Sequence, residues 1–241
     1  MSPTTIPGNL ILKNGTVEAD PYYNNVSLLL HGDGTNGSTT IVDSSPSPKT
    51  VTAFGDTQIS TAQSKFGGSS IAFDGSGDYF EIASDASLAL GATFTIEMWY
   101  YLNTTASRHT FISQAFTEAF NGAGSISIYT EGATYPAQLR VSFGGSLTIG
   151  SISVAATTWT HLAVVCDNGT LSVFMDGQYA AGPTYDARHT HSTQPLFSGR
   201  LSQYAGYDTN GYIDDLRITK GVARYTSTFT PPTAPFPEVL G

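Results

Sequence analysis

The sequence predicts an all-β fold of two packed antiparallel sheets, and three observations predict it. Apolar residues alternate with period 2 in short runs and nowhere recur at i, i+3, i+4, i+7 over three helical turns. Gly, Asn and Asp cut these runs at intervals of roughly 8 to 12 residues, the rhythm of a sandwich. Charged residues make up 12 % of the chain, against about 25 % in an ordinary globular domain. Ser, Thr, Gly, Asn and aromatics take the place of Lys and Glu, a vocabulary of strands and turns. At 241 residues the chain is long enough for one such domain to bury its own core.

Taken in order, residues 1–24 hold Pro3, Pro7 and Pro21 around a possible hairpin, Asn9–Lys13 with Asn14-Gly15 at its turn. They carry too few apolar groups to pack alone, so they are expected to form a docking arm that a partner orders. The strands readable beyond it are Ser27–Leu30, Ser70–Phe73, Tyr79–Ile82, Thr93–Tyr101, Thr110–Ser113, Ser125–Tyr129, Gln138–Phe143, Leu147–Ile149, His161–Cys166, Leu171–Met175, Phe197–Leu201 and Tyr212–Thr219. The sharpest local unit is the hairpin across Asp167-Asn168-Gly169, where Asn-Gly supplies the positive φ angles of a tight turn, followed by a second turn at Asp176-Gly177. Trp99, Trp159 and Cys166 sit among apolar neighbours and read as core. Residues 231–241 contain Pro231, Pro232, Pro235 and Pro237, which fix an extended tail and bar it from a central strand.

One strand departs from regular spacing. Ile213, Leu216 and Ile218 stand three and then two apart, so a bulge at Asp214-Asp215 is needed to put them on one face. One of these acids then turns inward, where it must meet backbone N–H groups, Arg217 or a cation.

The charge balance bounds the partners. The 19 acidic and 10 basic residues give a net charge of −9, which repels a phosphate backbone and an anionic membrane surface. Nucleic acid and membrane are therefore not expected partners. Residues 1–8 lack the cationic start and apolar run of a signal peptide, and no stretch approaches the ~20 apolar residues of a membrane span.

Four segments, read together, resemble the laminin-G-like branch of the concanavalin A-like lectin and glucanase superfamily. They are Ser70-Ile-Ala-Phe-Asp-Gly-Ser-Gly-Asp-Tyr-Phe-Glu-Ile82, Phe94-Thr-Ile-Glu-Met-Trp-Tyr-Tyr101, the stretch from Trp159-Thr-His-Leu-Ala-Val-Val-Cys to Phe174-Met-Asp-Gly177, and Gly211-Tyr-Ile-Asp-Asp-Leu-Arg-Ile-Thr219. The resemblance implies a two-sheet antiparallel jelly-roll sandwich over residues 25–230. The entry Leu28-Leu-Leu-His-Gly-Asp-Gly-Thr-Asn-Gly37 and the exit Gly221-Val-Ala-Arg-Tyr-Thr-Ser-Thr-Phe-Thr-Pro-Pro232 are similar to domains of tailed-phage virion proteins. This implies a virion protein, a head decoration or a tail or fibre component. Such a protein is expected to be exposed on the particle as a homo-oligomer, docked through the arm to other virion proteins, and turned toward host or environmental glycans. A carbohydrate-binding module that acts alone is the alternative.

The resemblance also frames the chemistry. The family's catalytic strand carries Glu-x-Asp-x-x-Glu, and no such spacing occurs here, since Glu81 is followed by Asp85 and Glu97 has no nearby acid in sequence. No Gly-x-Ser-x-Gly elbow and no His-Glu-x-x-His pattern occurs either, so an enzyme is not expected. Structural Ca²⁺ belongs to the family, and Asp33, Asp74, Asp214 and Asp215 are the candidate oxygen donors, hydrogen-bonded structural carboxylates being the other reading. His189 and His191, two apart, either share a strand face as metal or glycan contacts or are simply solvated. Tyr185, Tyr204 and Tyr207 lie in Gly- and Ser-rich loops, where their rings either stack sugars or cover the sandwich end.

Overall fold

The computed structural model describes residues 12–13, 16–17, 19–115, 125–131, 137–143, 146–184, 193–201 and 206–239. In chain order the strands are β1 (Leu12–Lys13), β2 (Thr16–Val17), β3 (Val26–Leu30), β4 (Val51–Phe54), β5 (Gln58–Ser60), β6 (Ser70–Asp74), β7 (Tyr79–Ile82), β8 (Phe94–Leu102), β9 (Thr110–Gln114), β10 (Ile126–Glu131), β11 (Gln138–Phe143), β12 (Ser146–Ser153), β13 (Thr160–Asp167), β14 (Thr170–Met175), β15 (Gln178–Thr184), β16 (Leu196–Ser198) and β17 (Asn210–Lys220). The helical segments among the described residues are two short 3₁₀ turns, Tyr23–Asn25 and Ala86–Leu88. None is long and apolar enough to cross a membrane.

Two antiparallel sheets face each other, as the period-2 patterning predicts. One has seven strands in the order β12-β11-β10-β9-β16-β7-β4, the other eight in the order β15-β14-β13-β8-β17-β6-β5, and β3 pairs with β17 beside that path. The alternation on β8 shows how sequence sets the layers. Phe94, Ile96, Met98, Tyr100 and Leu102 enter the core between the sheets, while Thr95, Glu97, Trp99 and Tyr101 face outward. The Asn168-Gly169 turn has φ angles of 47° and 84°, the left-handed pair that joins β13 to β14 without splaying them.

The outward side of the eight-stranded sheet is itself covered. Phe229, Tyr225 and Ala223 pack on Ala163, Val165 and Phe174, and Phe236 packs with Val26 and Leu29. Gly177 makes this approach possible, because a Cβ there would lie 2.0 Å from the carbonyl oxygen of Phe229. Thus the proline-rich tail, expected to be extended, is a strap with Phe236 only 3 % exposed. Asp20, within the expected arm, is also built into the sandwich: its N–H donates to the carbonyl of Val239 at 2.8 Å and its carboxylate is buried. Among the described residues β1 and β2 pair with each other, and the prolines at 3 and 7 lie outside the described residues.

Candidate functional site

The predicted bulge is present. β17 pairs with β6 from Asn210 to Ile213 and with β3 from Leu216 onward, and against β8 it spends one extra residue between Asp214 and Arg217. Asp215 takes φ 50° there. The two acids serve as acceptors for backbone N–H groups that lie outside the strands, in the loop before β6 and in the C-terminal strap. Asp214 Oδ2 accepts from the N–H of Lys65 at 2.6 Å and of Phe66 at 3.1 Å. Asp215 Oδ2 accepts from the N–H of Phe236 at 2.9 Å, and its Oδ1 lies 2.6 Å from His31 Nδ1, whose Nε2 lies 3.1 Å from Glu238 Oε1. Both acids are therefore buried on the outward side of the eight-stranded sheet, beneath the segments that cover it, where sequence spacing called for one to turn inward. Burial pushes the Asp214 carboxyl up to about 7 although two N–H groups favour its charge. Burial alone would depress the His31 imidazole, but its bonds to Asp215 and Glu238 outweigh that and push it up to about 10.

This arrangement decides how far the four candidate donors suit calcium, which takes 6 to 8 oxygen ligands. Both oxygens of Asp215 are committed, its positive partner is His31, and Asp74 lies exposed at the far end of β6 accepting from Ser76 N–H. Only Asp33 Oδ1 and Asp214 Oδ1 remain as buried oxygens without a partner. Among the described residues no three His, Cys, Asp or Glu side chains converge as ligands. These residues do not fit a calcium ion, because Asp215 is satisfied by an N–H group and an imidazolium, and the two open oxygens, of Asp33 and Asp214, fall short of the set that calcium takes. Chelator and added Ca²⁺ are both expected to leave the melting temperature unchanged, measured by scanning fluorimetry; a rise with Ca²⁺ would contradict this, since a ligand of the folded state stabilises by mass action.

Glu97, weighed above as a catalytic carboxylate, is fully buried on the outward side of β8 beneath the strap. Arg217 grips one of its oxygens through Nε at 3.0 Å and Nη2 at 2.8 Å, and Tyr225 donates to the other at 2.8 Å. Asp20 joins Arg217 Nη1 at 3.0 Å to both Nη groups of Arg224, at 3.0 and 2.7 Å. His161 Nε2 lies 3.4 Å from Glu97 Oε2. Two acids and two guanidiniums thus balance, and this cluster ties both chain ends to the sheet. Sequence reasoning missed it, although a lone Glu inside the apolar run from Phe94 to Leu102 is a signal for a buried partner.

The glycan candidates fare differently. Tyr185, His189, His191 and Tyr204 lie outside the described residues. Tyr207, read in sequence as either a sugar-stacking ring or a cover of the sandwich end, is buried: it meets Tyr129 edge-on at 5.8 Å, with the Arg108 guanidinium 4.8 Å from its centroid. The tryptophans also correct the core reading. Trp99 faces out of the sheet under Phe66, with Lys65 Nζ 3.6 Å from its ring, and Trp159 is half-buried beside Tyr101. Cys166 is core, with burial pushing its thiol up to about 11.

An aromatic face that sequence reasoning missed lies on the outward side of the seven-stranded sheet. Phe54, paired with Tyr79 across β4 and β7, stacks on it at 4.5 Å with the rings 7° apart, and Phe197 on β16 lies 6.1 Å further. The Arg200 guanidinium sits 4.5 Å from the Tyr79 ring. Phe54 is 37 % exposed, and Tyr79, Phe197 and Arg200 are half-buried. Registers place Thr52, Glu81, Phe197, Ser113, Ser127 and Ser142 in one row across six strands, a span of roughly 24 Å. The row runs from an exposed hydroxyl and a carboxylate, past the aromatic ring, to three buried serines, of which Ser113 and Ser127 have hydroxyls without a partner.

Comparison with known proteins bears on this fold. Domain 4 of a GH43 extracellular arabinanase from Geobacillus stearothermophilus, solved in complex with arabinotriose, superposes with a TM-score of 0.61 at 18 % identity, covering 83 % of this chain and 94 % of that one. The binding domain of botulinum neurotoxin serotype D gives 0.59 at 12 % identity, covering 83 % of this chain and 49 % of that one. The binding domain of Paraclostridial Mosquitocidal Protein 1 gives 0.60 at 13 %, covering 85 % and 50 %. This chain spans about half of each of these two toxin binding domains. At such identities the likeness is one of fold. No curated protein matches the sequence. The family described as the concanavalin A-like lectin/glucanases superfamily, in a laminin-G form, matches residues 74–224, which run from the end of β6 past the bulge of β17. With its two jelly-roll sheets, its buried bulge and this match, the chain belongs to the concanavalin A-like lectin/glucanase superfamily.

Proposed function

We propose that this chain is a non-catalytic, lectin-like glycan-recognition domain carried on a bacteriophage virion, as a head decoration or a tail or fibre component. The observation that carries glycan recognition is the aromatic face of Phe54, Tyr79 and Phe197, flanked by Arg200, Glu81 and Thr52. Sugar rings present C–H faces that stack on aromatic rings, and their hydroxyls need donors and acceptors at the rim; this surface offers both. The burial of Glu97 in its ion cluster supports a non-catalytic role, since a glycosidase needs two carboxylates open to substrate. The virion setting rests on the likeness of the segments at 28–37 and 221–232 to phage virion domains.

Binding to an immobilised panel of neutral glycans tests the site. Phe54→Ala and Tyr79→Ala should each weaken retention roughly tenfold, the size of one lost stacking contact. Their melting temperatures should change little, because Phe54 is exposed and both rings lie outside the core. Wild-type affinity in both variants would remove this site. Electron microscopy of assembled particles tests the setting: ordered copies on a head lattice or a fibre are expected, and absence from the particle would leave a stand-alone carbohydrate-binding module.

A further inference from the structure

We propose a second binding site, for an acidic sugar of the uronic-acid class, in the cleft between Lys49 and Lys220. The cleft has a volume of about 440 Å³ and is lined among others by Asn24, Asn25, Ser47, Lys49, Ser87 and Lys220. Its lining holds two ammonium groups and no carboxylate, in a chain whose net charge is −9. This local inversion of sign is what an anion would find.

Both ammonium groups are held in place. Lys49 Nζ donates to the carbonyl oxygens of Ser27 at 2.6 Å and Ser47 at 3.0 Å. Lys220 Nζ donates to the carbonyl of Ala86 at 2.9 Å, and Asn25 Nδ2 caps the carbonyl of Lys220 at 3.1 Å. An ammonium has three donors, so each lysine keeps at least one N–H for a ligand. The nearby acid, Asp85, is turned to Ser87, accepting from its N–H at 2.8 Å and its hydroxyl at 2.6 Å. Those bonds hold its carboxyl below the usual range, with Lys49 and Lys220 adding to the effect. Asp85 therefore stays charged and, exposed beside the cleft, is not part of its lining.

The size and the polar rim favour a sugar acid over a bare inorganic anion. The volume falls in the range of roughly 300–1,000 Å³ typical of small-molecule sites, and the amides of Asn24 and Asn25 with the hydroxyl of Ser47 stand where ring hydroxyls would need partners. A carboxylate would take the spare N–H of each lysine in charge-assisted bonds. The cleft shares no residue with the aromatic face, so either site can fail alone.

Glucuronic acid and glucose, which differ at the carboxylate, are the matched probes, with inorganic phosphate as the third. Amide-detected NMR titration of the wild-type protein should show shifts at Asn25, Ser47, Lys49 and Lys220 with glucuronate and none there with glucose, and raised salt should weaken them. Lys220→Gln should weaken binding at least tenfold, and Lys49→Gln with Lys220→Gln should abolish it, while Tyr79→Ala leaves it unchanged. Equal binding of glucose, or phosphate binding as tightly as glucuronate, would overturn the proposal, and needs no variant. So would full affinity in the doubly substituted protein. Loss of glucuronate binding in Tyr79→Ala would move the acid sugar to the aromatic face, overturning this site and leaving that one standing.

Discussion

Replacing Arg217 by methionine is expected to destabilise the fold by about 3–5 kcal/mol, the cost of stranding a buried charge, and so to lower the melting temperature by roughly 6–20 °C for a domain of this size. Methionine keeps much of the volume but removes the guanidinium that binds Glu97 twice, meets Asp20 at 3.0 Å and lies 3.7 Å from the Phe236 ring. Glu97, with no exposure, is then left to Tyr225, His161 and the more distant Arg224, whose Nε lies 3.8 Å away. The pH dependence identifies the cause. Burial raises the Glu97 carboxyl, yet Arg217 first, then His161 and Arg224, bring it down from 4.5 to about 2. A depressed carboxyl contributes stability that is complete above 4.5 and lost as pH falls through about 2. Urea unfolding from pH 7 to pH 2 should therefore show the gap between wild type and Arg217→Met closing toward the acid end. Deleting residues 1–24 removes Asp20 and should be costly for the same reason, although in sequence these residues read as a docking arm outside the sandwich. A truncated chain as stable as the full one would contradict the role given to Asp20.

His31→Leu is the second large effect, expected at about 3 kcal/mol near neutral pH, again because a buried charge loses its partner. The lost imidazolium bridges Asp215 inside the bulge and Glu238 on the strap, so both the bulge and the seat of Phe236 weaken together. Burial pushes the Asp215 carboxyl up, and His31 is the first influence that brings it down. Because the folded imidazole is raised from 6.5 to about 10, its contribution is complete below 6.5 and lost as pH climbs through about 10. Unfolding curves at pH 6, 8 and 10 should show wild type falling toward the variant. An alkaline limb that persists in His31→Leu would assign it to another group.

What could be read in sequence follows from where information is local. β8, β13, β14 and β17 are long, alternate regularly and end in turns whose Gly and Asn residues have mechanistic meaning, so their positions and the bulge were legible. Three of the edge strands were not: β5 has three residues, β15 contains Gly182 and Pro183, and β4 carries a mixed burial pattern typical of an edge. That loss hid Phe54, and with it the aromatic face, since a stack with Tyr79 is visible only once β4 pairs with β7. The ion cluster joins residues up to 204 positions apart, which no spacing rule reaches. Trp99 shows the complementary error: apolar neighbours in sequence suggested core, but period 2 puts it opposite Met98 and Tyr100, under Lys65.

The central claim is that the outward face of the seven-stranded sheet receives glycans. Amide-detected NMR of the isotopically labelled protein, titrated with the best neutral oligosaccharide from the panel, tests it most directly. Shifts confined to Thr52, Phe54, Tyr79, Glu81, Phe197 and Arg200, saturating with one affinity, are the predicted result. A saturating shift pattern on the eight-stranded sheet or its strap, with those six residues still, would contradict the account.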